Sequence, residues 1–157
     1  MGGTDRWFDD FEVGETFLSA GVTVTEAQII EFALVHDPQP FHTDVLAAKE
    51  SVYGGLIASG LQTLGLGFRM FLMLGLFRAC GMGSPGIDEL RWPRPMRPGD
   101  TIRTEMKVLE KRPSRSKPDR GIVLCAYRVL NQEGDEVCTW KCMQLLAKRP
   151  GSHTMEV

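Results

Sequence analysis

From Leu56 to Arg78 the chain reads LIASGLQTLGLGFRMFLMLGLFR, and Arg69 and Arg78 are its only ionisable side chains. At helical spacing, Leu56, Leu61, Leu64, Leu66, Phe68, Met70, Phe71, Leu72, Met73, Leu74, Leu76 and Phe77 fall on every face. A helix that is apolar all round either lies in a core or spans a membrane. The membrane reading fails, because Arg69 mid-span costs about 2.5–3.5 kcal/mol and no uncharged apolar run of about 18 residues remains. One core helix is expected, hidden on all sides and reaching roughly 30 Å if unbroken. Ser59 is placed to cap its start, and Gly60, Gly65 and Gly67 allow close approach of a neighbouring backbone.

What could hide such a rod is set by the rest of the chain. Thr16–Val24 reads as a strand, and Thr25 and Gln28 form a capping box for a helix carrying Ile29, Ile30, Phe32, Ala33 and Val35. Pro38 ends that helix. Asp37–Asp44 (DPQPFHTD) reads as a loop stiffened by two prolines, Val45–Glu50 as a short helix, and Tyr53–Gly55 as a turn into the apolar run. After the exit loop Gly81–Gly86 the pattern turns to strands at Ile87–Trp92, Thr101–Arg112, Gly121–Leu130 and Glu136–Ala147. A turn at Arg97–Asp100 and a hairpin at Asn131–Asp135 punctuate them. In Gly121–Leu130, Ile122, Leu124 and Ala126 face opposite to Val123, Cys125, Tyr127 and Val129. The simplest architecture is α+β, an antiparallel sheet wrapped around one helix. At 157 residues one domain over 1–157 is expected, with its core at about 8–147 and a polar tail at 148–157 containing His153.

The net charge of -2 gives no case for nucleic acid. Its distribution is uneven: residues 91–120 hold ten Lys/Arg against four Asp/Glu, while residues 1–90 are strongly acidic. The basic stretch is either a solvated hairpin or a contact for a small anion. No secretory signal is evident at the start of the chain. Cys80, Cys125, Cys138 and Cys142 lack zinc-knuckle spacing with His partners. They read as four free thiols in a reducing cytoplasm.

Two residues of DPQPFHTD carry chemistry. Asp37 and His42 are five apart on the braced loop, and Ser59-Gly60 opens the apolar helix just downstream. A carboxylate and an imidazole can divide general acid and base work, and a helix start offers N–H donors to an oxyanion. From spacing alone, a histidine near an aspartate on a loop is more often structural than catalytic. Asp44 is placed to cap Val45–Glu50, and His36 to close the preceding helix.

DPQPFHTD, then GGLIASG, the long helix and the RWPRPMRPGD turn together resemble the MaoC-like dehydratases, hot-dog-fold proteins that include the (R)-specific enoyl-CoA hydratases. The resemblance covers roughly Phe8 to Leu146 and rests most on Asp37, Pro40, His42 and Asp44; Gln39 stands where the family often has Asn. It implies that Asp37 and His42 hold one water and share proton transfers, hydrating a trans-2-enoyl thioester at C3 or running the reverse dehydration. It also implies that the Gly60 N–H polarises the thioester carbonyl. Ser59 and Gln39 are further candidates for contact with substrate, beside their roles as cap and loop brace. Arg91, Arg94, Arg97 and the Arg112–Arg120 loop are candidates to meet coenzyme A phosphates. No metal or redox cofactor is expected, since the sequence shows no ligand cluster or dinucleotide turn; coenzyme A enters only as part of the substrate. A homodimer or larger homo-oligomer is expected, with no membrane partner. Two alternatives remain: a hot-dog acyl-CoA thioesterase, disfavoured by the lack of Asp or Glu from Leu56 to Arg78, and a non-catalytic acyl-CoA-binding protein, disfavoured by the Asp37–His42 pair.

Overall fold

A computed structural model describes residues 5–151. His153 and most of the tail lie outside them. After a 3₁₀ turn at Phe8–Asp10, two short strands, β1 (Thr16–Leu18) and β2 (Val22–Thr23), lead into helix α1 (Glu26–His36). The expected single strand Thr16–Val24 is thus broken at Ser19–Gly21. Ser19 causes the break: its N–H donates to Thr104 O (2.9 Å), and its hydroxyl accepts from Thr104 N–H (2.9 Å) in place of a ladder carbonyl. α1 starts at the capping box, with Thr25 N–H donating to Gln28 Oε1 (2.9 Å) and Gln28 N–H to Thr25 Oγ1 (3.2 Å). It ends at Asp37, which sits at φ -159°, ψ 70°, outside the α region, as a residue before proline must.

The stretch expected as a loop closes one further helical turn, α2 (Pro40–Thr43). Pro40 has φ preset for the first helical position. The Gln39 carbonyl accepts both His42 N–H (2.9 Å) and Thr43 Oγ1–H (3.2 Å). Asp44 then caps α3 (Val45–Glu50), accepting from Leu46 N–H (2.9 Å) and Ala47 N–H (3.0 Å).

The central helix α4 is Gly60–Leu72, 13 residues, shorter than the apolar run that contains it. Leu56, Ile57 and Ala58 are buried but extended, tied by Ile57 N–H to Phe41 O (3.2 Å) and Ala58 N–H to Met96 O (2.8 Å). At the other end the bonds tighten to three-residue spacing, Leu74 N–H to Phe71 O and Gly75 N–H to Leu72 O, and Gly75 turns the chain at φ 72°. Leu74, Leu76 and Phe77 still pack on the core from turns.

Strands β3 (Asp88–Arg91), β4 (Thr101–Pro113), β5 (Arg120–Leu130) and β6 (Glu136–Ala147) complete a six-stranded antiparallel sheet in the order β1-β4-β5-β6-β3, with β2 also on β4. The alternation in β5 matches its burial: Val123, Cys125, Tyr127 and Val129 are buried, while Ile122, Leu124 and Ala126 are half-buried. On the inner face Tyr127 stacks on Trp140 (4.7 Å) and meets Phe71 of α4 edge-on (5.1 Å). Helix and sheet approach closely at Gly67, whose carbonyl accepts from Thr104 Oγ1–H (2.7 Å) and whose Cα faces Val129.

The helix is not covered on every side. Leu61, Phe68, Leu72 and Met73 are exposed, because one sheet and α1 reach only part of its circumference. Among the described residues, no helix is long and apolar enough to cross a membrane. All four cysteines are buried and unpaired.

Candidate active site

The capped end of α1, the turn α2 and the start of α4 meet at one cavity of about 510 Å³. Asp37, His42, Gly60, Trp92 and Arg94 are on its wall. His42 is only 4% exposed. Its Nδ1 lies 2.8 Å from Ile57 O; a carbonyl only accepts, so Nδ1 carries the hydrogen. Nε2 is left facing Asp37 Oδ2 at 3.3 Å. The proline-led turn places the ring there, and the extended approach to α4 supplies the carbonyl that orients it.

Asp37 is held on both oxygens. Gln39 Nε2–H donates to Oδ1 (2.8 Å) and Ser59 Oγ–H to Oδ2 (2.7 Å). The Ser59 bond first, then Gln39, hold its carboxyl below the usual carboxylate range; partial burial opposes them and the imidazole adds a smaller pull. Ser59 also accepts from Leu61 N–H (3.2 Å), so one hydroxyl caps α4 and grips the acid. Among the described residues, the Gly60 N–H has no hydrogen-bond acceptor and stands free at the helix start.

The five residues expected from sequence, Asp37, Gln39, His42, Ser59 and Gly60, therefore gather around this cavity, with Gln39 and Ser59 bonded to the acid. The basic residues do not gather. Arg94 lines the cavity, paired with Asp135 (3.1 Å), and Arg97 donates to Tyr53 O (2.7 Å) nearby. The Arg112–Arg120 loop lies at the far end of β4, up to about 40 Å along the strand from Thr101. Arg112 is not on the wall of this cavity and instead lines a separate one with Gly83 and Ser84. Trp92 was missed in the sequence; its indole N–H donates to Gly60 O (2.9 Å). The only sequence signal was a tryptophan in a proline-rich turn. A second, apolar cavity of about 420 Å³ shares Leu61 with the first and is lined by Leu64, Phe68, Ile87 and Trp140.

The comparisons with known proteins identify the family and the fold. The MaoC-like domain model matches residues 10–124, and the chain belongs to that family. The sheet around one helix is the hot-dog fold. The MaoC-like dehydratase from Rhodospirillum rubrum has 41% identity and a TM-score of 0.86, with 92% of this chain and 99% of that one covered. The (R)-hydratase PhaJ1 of Pseudomonas aeruginosa has 25% identity and a TM-score of 0.75, covering 92% and 88%. The 3-hydroxybutyryl-CoA dehydratase of Methylorubrum extorquens is 32% identical over 83% of this chain and 77% of its own length.

Proposed function

We propose that this protein hydrates a trans-2-enoyl thioester of coenzyme A to the 3-hydroxyacyl thioester, and catalyses the reverse dehydration. The observation that carries this reading is that Asp37, His42 and the free Gly60 N–H face one cavity. A water in the cavity that reaches both Asp37 Oδ2 and His42 Nε2 is activated by the pair. As its oxygen bonds to C3, the pair takes one proton from the water and gives one to C2, so the water is added across the double bond and the proton count of the site is unchanged. Charge that builds on the thioester oxygen is met by Gly60 N–H and the positive end of α4. The acyl tail passes Leu61 into the apolar cavity, and Arg94 at the rim is placed for a coenzyme A phosphate. The four free thiols suit a reducing, cytoplasmic setting. The exposed stripe of α4 suits a homodimer.

Loss of enoyl absorbance with crotonyl-CoA tests the reaction. Wild type is expected to consume it, and Asp37→Ala and His42→Ala are each expected to lose about 10²–10⁴-fold in rate while keeping the wild-type circular dichroism. Release of free thiol from a saturated acyl-CoA would instead identify a thioesterase, and full activity in either variant would reject the dyad.

A further inference from the structure

Gly60 is the first residue of α4, and as a glycine it has the freest backbone available. Helix ends are also where the backbone is held least, since the first turn lacks its full set of bonds. A donor that must point at one atom is poorly served by both facts unless something else fixes it. The structure supplies that restraint from outside the helix. Trp92 follows β3, and its Nε1–H donates to Gly60 O at 2.9 Å. Its ring lies over the Gly60 Cα so closely that a Cβ added there would sit 2.6 Å from Trp92 Cε2 and 2.9 Å from Cζ2. The Gly60–Leu61 peptide is thus held at both ends, its oxygen by Trp92 and its N–H by Ser59 Oγ. Across the shared Cα stands the free Gly60 N–H.

The indole is not in place merely to fill the core. Trp92 is 45% exposed, unlike Trp140 at 2%, and its accessible surface forms part of the cavity wall. Trp92 could serve as a wall for substrate or as a clamp on Gly60. The N–H bond to the helix and the ring against its Cα favour the clamp.

We infer that Trp92 is a positioning residue: it fixes the first peptide of α4 so that the Gly60 N–H stays aimed at the thioester oxygen. The inference rests on the hydratase reading, and its consequence is that Gly60 and Trp92 form one unit. The ring excludes any side chain at position 60, and the glycine in turn needs the ring.

Trp92→Phe keeps an aromatic ring beside Gly60 and removes the N–H. With crotonyl-CoA, kcat is expected to fall between about tenfold and 10²-fold, the scale of a misplaced catalytic group, while KM stays within about twofold of wild type. The acid limb of the pH–rate profile is expected not to move. An unchanged kcat overturns the inference. A raised KM with kcat kept overturns it too, and makes Trp92 a substrate wall. A readout independent of turnover is the ¹⁵N relaxation order parameter of Gly60 and Leu61, expected near the rigid value of about 0.85 in wild type and lower in Trp92→Phe. If wild type hydrates no enoyl-CoA, the proposed reaction fails on its own, and equal order parameters in the two proteins would still overturn the clamp.

Discussion

Ser59 has two tasks that a substitution separates from those of Asp37 and His42. Its hydroxyl donates to Asp37 and accepts from Leu61 N–H. The first bond is the largest influence lowering the acid's pKa, so Asp37 stays ionised to lower pH than a free carboxyl. Ser59→Ala removes that influence, and the pKa rises toward the ordinary carboxylate value. The acid limb of the pH–rate profile is then expected to move to higher pH, and a limb that stays in place counts against the role of Asp37 in the rate. The same lowered pKa makes Asp37 a source of stability above its unfolded pKa that is lost as pH falls through the folded one. Losing the cap costs about 0.5–2 kcal/mol more, read as a lower Tm at neutral pH. Asp37 and His42 stood out in the sequence through the DPQPFHTD motif that carries the family resemblance, and five residues with two prolines keep them close in the fold. The Ser59–Asp37 bond spans 22 residues and the Trp92–Gly60 bond 32, so only the folded chain brings those partners into contact.

The strands and α1 follow from local pattern, since alternation, capping boxes and proline stops act within a few residues. The limits of α4 do not. Burial and helicity are separate properties, and the apolar run continues on both sides through extended or turned backbone that is nonetheless packed. α4 is seated on the sheet by a close contact at Gly67. A Cβ at that position would enter the space of Val129 Cγ2, with Thr104 Oγ1 beside it. Gly67→Ala is therefore expected to destabilise by about 1–3 kcal/mol, the usual range for overpacking, although alanine is the better helix former by about 1 kcal/mol. Chemical denaturation decides between the two effects. A Gly67→Ala variant more stable than wild type would mean that α4 does not press on β5.

For the whole molecule, the expectation that every face of the central helix is hidden was wrong for a single chain, and the reason leads to an assembly. Leu61, Phe68 and Leu72 recur at i, i+7 and i+11 on α4 and are 53%, 38% and 47% exposed, with Ile87 beside them at 49%. A contiguous exposed apolar stripe of this kind marks a contact surface. β3 adds a sheet edge with no neighbour on its outer side among the described strands. A second copy of the chain would cover stripe and edge together by a two-fold contact, the commonest closed symmetry. Light scattering is expected to give twice the 17.5 kDa of one chain. Phe68→Glu places a charge in the centre of that contact, where it would be buried without a partner. The variant is expected to run as a monomer with its circular dichroism retained. It should also lose activity, because Phe68 lines the apolar cavity that opens beside the Asp37–His42 pair. A wild-type monomer at micromolar concentration would leave the stripe without an occupant and reject the dimer, while the chemistry at Asp37, His42 and Gly60 would stand or fall on turnover alone.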